Sequence, residues 1–285
     1  MGAVDSHPPT VPGMTEELRA RVAPTAAVML NKVPAITAYF WIIKVLGTTV
    51  GETAADYLND TRGLGLNKTS IVVGFALVVA LIFQFRTRKY IPAAYWFVVV
   101  LISIAGTLMT DNLVDGHGVS LTVTTTGFAL CLIATFLGWW FSERSLSIHT
   151  IVTTRREAWY WATILFTFAL GTSAGDLLSE KINIGYWKSG LLFAAMIGAV
   201  VVARTVFKMG EVLAFWAAYI LTRPLGASLG DYLLQKPKDG GLGLGTGLTT
   251  FTFLAVIIAL VTYLTLTRAD LEAAADPPER GTAVS

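Results

Sequence analysis

The sequence predicts an all-α fold: a polytopic membrane bundle of eight transmembrane helices built from four tandem two-helix repeats. Three observations lead there. Of 285 residues, 54% are hydrophobic and only 14% charged, with a mean hydropathy of +0.63; soluble domains carry roughly 25% charged residues. The apolar residues fall into segments of about 20, the length that crosses a hydrocarbon core. A four-residue signature also recurs, without gaps, in every second segment.

The segments lie at about 35–58, 67–85, 93–114, 119–141, 158–179, 184–203, 212–234 and 244–267. The odd-numbered ones all fit W-x9-G-x4-D-x-L. The tryptophans are Trp41, Trp96, Trp161 and Trp216, and the glycines Gly51, Gly106, Gly171 and Gly226. The acids are Asp56, Asp111, Asp176 and Asp231, and the leucines Leu58, Leu113, Leu178 and Leu233. Such self-similarity marks duplication and sets the architecture. The second and fourth segments share GFAL, at Gly74–Leu77 and Gly127–Leu130. The hairpins of repeats one and four share GLGL, at Gly63–Leu66 and Gly241–Leu244.

Two spans per unit return the chain to one side, so all four units share an orientation, related by axes along the membrane normal. The expected boundaries are a disordered tail over 1–32, one domain over 33–268 with repeats at 33–89, 90–146, 155–208 and 209–268, and a disordered tail over 269–285. The tryptophan spacing is wider between repeats two and three, where SERSLSIHTIVTTRREA links two halves.

At this point the chain resembles a family of bacterial membrane proteins made of four tandem two-helix repeats of unknown function, each with a tryptophan. The resemblance covers roughly residues 33 to 267. It implies eight helices, and it brings no catalytic or ligand-binding residues with it.

Lys and Arg collect on cytoplasmic loops. One side of the predicted bundle holds Arg19, Arg21, Lys32, Arg86, Arg88, Lys89, Arg144, Arg155, Arg156, Arg204, Lys208 and Arg268. The other holds Arg62, Lys68, Lys181, Lys188, Lys236 and Lys238. Both termini are therefore expected in the cytoplasm of a bacterial inner membrane. A net charge of +2 offers no nucleic-acid footprint, and the single Cys131 forms no intrachain disulfide.

A charge at the bilayer centre is costly unless neutralised, paired or hydrated. Fifteen residues from Trp to Asp make about 22 Å of helix, so each Asp sits in the outer part of the membrane, deeper if the helix breaks at the preceding glycine. Residues four apart share a helix face. The resulting stripes are Lys44, Thr48, Glu52, Asp56; Ser103, Thr107, Asp111; Thr172, Asp176; and Arg223, Ala227, Asp231. Hydroxyls that open the even segments, among them Thr69, Ser70, Thr125 and Thr250, are expected at the same depth. Carboxylates and hydroxyls suit hard cations such as Mg²⁺ or Mn²⁺, or protons.

The sequence thus points to a transporter of a small cation, divalent in the leading reading, with protons as a coupling ion. Glu52, Asp56, Asp111, Asp176 and Asp231 are the expected metal ligands, and Lys44, Thr48, Thr107, Thr172 and Arg223 further transport-site candidates. No resident cofactor and no catalytic residue are expected; the partners are the lipid bilayer and the transported ion, and a homo-oligomer is compatible with the reading. A proton-coupled organic solute transporter, a scaffold whose acids fix helix ends, and an intramembrane aspartyl enzyme are the alternatives. Lys44 and Arg223 are each expected to pair with an acid, the tryptophans to form an interfacial belt, and Pro224 to kink its helix.

Overall fold

The computed structural model describes residues 31–270, so nearly all of the two expected tails lies outside the described residues. Among the described residues every regular element is helical. Eight long helices follow in order: α1 (Ala38–Asp56), α2 (Leu66–Arg86), α3 (Pro92–Asp111), α4 (Leu121–Glu143), α5 (Thr154–Asp176), α6 (Tyr186–Thr205), α7 (Glu211–Leu234) and α8 (Thr246–Thr267). Seven are long and apolar enough to cross a membrane. The eighth, α1, carries Lys44, Glu52 and Asp56 in its 19 residues.

Local signals start these helices where the sequence places them. Thr37 and Thr153 cap α1 and α5, their hydroxyls accepting the amides of Phe40 (3.4 Å) and Arg156 (3.3 Å). Side-chain oxygens at this position satisfy amides that the first turn leaves orphaned. Pro92 opens α3, where its missing N–H costs nothing. At the opposite ends α2 and α6 carry Arg86 and Arg204 in their last turns, and α4 and α8 are capped by Arg144 and Arg268. A cation there complements the negative end of the helix dipole.

The odd helices form an inner ring in which α1 packs on α3, α3 on α5, α5 on α7, and α7 back on α1. Each even helix lies outside and packs on the odd helix that follows it: α2 on α3, α4 on α5, α6 on α7 and α8 on α1. Buried residues make up 56–72% of the apolar stretch of α3, α5 and α7 but only 17–22% of that of the even helices. Phe75, Phe83, Leu130, Phe251 and Leu266 stand exposed on the outer helices. Soluble proteins rarely show so continuous an apolar face, so the outer ring is the lipid-facing one.

The repeated glycine makes the inner ring possible. A Cβ on Gly51 would run into Ser103, on Gly106 into Phe168, on Gly171 into Arg223, and on Gly226 into Thr48. In motif terms, the glycine ten residues after each tryptophan receives the residue seven after the next tryptophan, around the full circle. The helices continue through these glycines to the aspartates, so of the straight and the broken helix the structure has the straight one. Small residues let membrane helices approach backbone to backbone, and that is their use here. Pro224 likewise lies within α7 without ending it.

Three odd helices do change character directly after the aspartate. A widened, π-helical turn follows over Tyr57–Thr61, Asn112–Gly116 and Leu177–Lys181. The chain then reverses so that the amides of Leu64, Val119, Ile184 and Leu244 donate to the carbonyls of Leu58, Leu113, Leu178 and Leu233. The recurring leucine is thus the anchor of the hairpin in all four repeats. Gly63 (φ 65°), Gly118 (67°), Asn183 (59°) and Gly243 (65°) hold the left-handed residue of the turn. The structural counterpart of Gly63–Leu66 is therefore 243–246, two residues beyond the shared GLGL.

Candidate functional site on the axis of the ring

The stripe residues of the four odd helices meet in layers along the ring axis. Nearest the tryptophan end lie Lys44, Val99, Ile164 and Tyr219; next come Thr48, Ser103, Phe168 and Arg223; then Glu52, Thr107, Thr172 and Ala227; the aspartates close the other end. In the first two layers every side chain is fully buried, as are Thr107, Thr172 and Ala227 in the third, where Glu52 is 6% exposed. Asp231 is buried, and Asp56, Asp111 and Asp176 are half-buried.

Arg223 sits at the centre. Its Nη2 donates to Glu52 Oε2 (3.1 Å) on α1, Thr107 Oγ1 (2.5 Å) on α3 and Thr172 Oγ1 (2.6 Å) on α5, and its Nη1 donates to the Thr48 carbonyl (3.0 Å). One guanidinium from α7 therefore touches all three other inner helices. Thr107 also donates to Glu52 Oε2 (3.2 Å). The expected pairing of Arg223 with an acid is met by Glu52, whose extra carboxylate is unique to repeat one.

Lys44 departs from its expectation. No hydrogen-bond acceptor reaches its buried Nζ. It lies instead over the rings of Phe168 (4.0 Å) and Tyr219 (4.2 Å), with the Arg223 guanidinium 5.5 Å from the Phe168 ring. Lys44 and Glu52 are two turns apart on one helix, about 12 Å along its axis, too far to pair. Phe168 and Tyr219 were the residues the sequence reading left out. They occupy stripe positions in their own helices, which is the signal that would have found them.

At the aspartate end the carboxylates gather. Asp111 has Glu52, Asp56 and Asp115 as charged neighbours, Asp176 has Glu52, Glu180 and Asp111, and Asp231 has Glu52, Asp176 and Asp56. Arg223 is the opposing charge felt by Asp111 and Asp176. Among the described residues, no three His, Cys, Asp or Glu side chains form a group that could hold a metal ion. The acids converge without forming a ready-made chelate.

Three hydroxyls of the even helices bond to the inner ring, whereas the buried Thr69 hydroxyl has no hydrogen-bond partner. Ser70 accepts from Asn112 in the turn that follows α3 (2.8 Å), Thr125 donates to the Ser173 carbonyl on α5 (3.0 Å), and Thr250 donates to Thr53 on α1 (2.9 Å). They clip three of the four outer helices, α2, α4 and α8, to the inner ones they pack on.

The motif tryptophans turn inward. Trp96, Trp161 and Trp216 are buried and Trp41 partly so, packed with Phe40, Tyr95, Tyr160, Phe215 and Tyr219 into an aromatic plug. The interfacial belt is therefore a core. A second buried network lies beside it. Lys32 Nζ donates to Glu157 Oε2 (2.6 Å) and to the Phe85 carbonyl (3.1 Å), and Gln84 and Trp161 donate to Glu157 Oε1 (3.4 and 3.5 Å). Asn31 and Lys32, expected in the tail, are buried here and bonded to Ile148 and Ile151 of the inter-repeat linker. Asp270, also expected in a tail, is buried against Tyr90, and burial first, with the Asp270 charge second, pushes the Tyr90 phenol well up.

A family model described as "Repeat of Unknown Function (DUF347)" matches residues 39–90, 94–145, 159–209 and 214–270, one match for each tryptophan-to-leucine motif. The chain belongs to the DUF347 repeat family. The four DUF347 units, each running from an inner helix to the outer helix that follows it in the chain, are the repeats seen in the ring. No curated protein and no solved structure matches the chain. The charges on the axis, Lys44, Glu52 and Arg223, occupy positions where the other three DUF347 repeats of this chain carry neutral residues.

Proposed function

We propose that this DUF347 protein is a membrane carrier for a small cation, with protons as its coupling ion. The observation that supports this most is the convergence of Glu52 and four motif aspartates, supplied by four different helices, at one end of a closed ring. Carboxylates held together at membrane depth repel one another and favour a positive visitor. Arg223 then acts as a tethered cation that occupies the axis when the cargo is absent. Cargo arriving at the aspartates competes with it for Glu52, and protonation of the acids releases the cargo. The aromatic plug closes the far end in this conformation.

The excess of Lys and Arg on the tryptophan side supports a cytoplasmic location for that end and for both termini, with the acidic mouth opening outward from a bacterial inner membrane. The test is flux into liposomes holding the purified protein, over a panel of mono- and divalent cations and imposed pH gradients. Saturable uptake that falls in D111N or D176N, while those variants stay folded, is the expected result. A loss of stability in each Asp→Asn variant, with no cation flux in any, would identify the acids as structural ties instead.

A further inference from the structure

We infer that the cargo is a small nitrogen cation with N–H donors (ammonium, a short primary alkylammonium or guanidinium) rather than a metal ion. The inference rests on the carrier reading above. Its first support is the geometry around Arg223 Nη2, where three oxygens from three helices lie at 2.5, 2.6 and 3.1 Å. A guanidinium Nη has only two N–H groups, so three acceptors surround two donors. An ammonium nitrogen, with three or four donors, saturates the same nest.

The hydroxyl protons leave that nest open. Thr172 donates to the Phe168 carbonyl (3.3 Å), and Thr107 to Ser103 O (3.4 Å) or Glu52 (3.2 Å), so their lone pairs face the nitrogen. The resident guanidinium is itself incompletely satisfied. Its Nε has no hydrogen-bond partner, and neither does the buried Ser103 hydroxyl in the same layer.

The second support is independent of Arg223. Lys44 places a fully buried side-chain nitrogen on the same axis, with no acceptor and with two aromatic faces at 4.0 and 4.2 Å. Aromatic faces attract organic cations and ammonium groups. The axis thus has two stations, an oxygen nest and an aromatic cage, and each holds a side-chain nitrogen of the protein. Mg²⁺ needs octahedral oxygen ligation and Ca²⁺ six to eight oxygens. The nest supplies one carboxylate oxygen, two hydroxyls and one backbone carbonyl, and no metal-holding group of acids exists among the described residues.

The experiment uses the full chain in liposomes and labelled guanidinium, which cannot cross as a neutral base. Saturable guanidinium uptake is expected, inhibited by methylammonium and not by Mg²⁺ or Mn²⁺. The T107V/T172V variant should weaken the apparent affinity about tenfold, the loss of a little over 1 kcal/mol. In parallel, methylammonium should raise the thermal midpoint of R223A in micelles more than that of wild type, because the tethered competitor is gone. If R223A does not fold, R223K serves: its ammonium fits the nest, so it should fold and resist added methylammonium as wild type does. Uptake of Mg²⁺ or Mn²⁺ with no response to nitrogen cations would overturn the inference and leave the carrier reading standing. An absence of flux for every cation, with no thermal response, would end both.

Discussion

Replacing Glu52 should damage this protein more than replacing Arg223, although each loses the same ion pair. In E52Q the guanidinium keeps an oxygen to bond but loses the charge of the carboxylate bonded to it, and it is fully buried among Thr48, Thr107 and Thr172. Stranding one member of a buried pair costs about 3–5 kcal/mol, and a guanidinium cannot escape by losing its proton. In R223M the stranded partner is a carboxyl, which escapes by taking up a proton. What remains is the loss of four hydrogen bonds, worth about 0.6 kcal/mol each between membrane helices, or about 2–3 kcal/mol in all. For a domain of this size each kcal/mol shifts the thermal midpoint by about 2–4 °C, so E52Q should fall by about 6–20 °C and R223M by markedly less. The double variant E52Q/R223M should be no worse than E52Q alone, giving a coupling energy of about 2 kcal/mol, within the range for contacting residues. Tryptophan fluorescence during a denaturing-detergent titration, with thermal scans alongside, measures all three. Additive losses, or an R223M variant weaker than E52Q, would refute the assignment of Arg223 and Glu52 as one buried unit.

Gly106→Ala should destabilise by about 1–3 kcal/mol, the usual cost of overpacking, because its Cβ would lie 2.8 Å from Phe168 Cβ and 3.0 Å from the α5 backbone. Gly74→Ala on α2, where a Cβ meets nothing within 4 Å, should be neutral or gain up to about 1 kcal/mol from helix propensity; the same detergent titration separates the two. Lys32→Gln and Glu157→Gln should each cost about 3–5 kcal/mol as broken buried pairs, and comparing them with the K32Q/E157Q double variant in a mutant cycle tests the coupling. Asn183→Gly should be neutral or stabilising and Asn183→Val destabilising by about 1–3 kcal/mol, because the residue holds φ 59°; thermal midpoints read both.

The ring was legible in the sequence because duplication repeats a register. Trp41, Trp96, Trp161 and Trp216 align the four helices, and Asp56 and its three counterparts fall at the same level in each. The closing order was not legible. A hydrophobic segment that faces lipid on one side looks alike whichever inner helix it packs on, so nothing in Leu66–Arg86 tells that α2 packs on α3 rather than on α1 of its own repeat. The recurrent glycine left a straight and a broken helix both open, because its partner residue lies one repeat away, outside any local pattern. Trp96, Trp161 and Trp216 read as interfacial for a related reason: depth along a helix follows from counting, whereas facing inward or outward depends on neighbours. Lys44 on a polar stripe suggested an acid partner, and the true neighbours, Phe168 and Tyr219, are aromatic residues whose attraction for a cation leaves no charge pattern behind.

Passing each outer helix on to the neighbouring inner one has a consequence for the single unit. A single unit of this kind cannot bury its own inner helix, because the outer helix that covers it belongs to the preceding unit in the circle. Identical subunits would present every axial charge four times over. On one polypeptide the four copies differ, and the axis carries one lysine, one glutamate and one arginine in place of four of each.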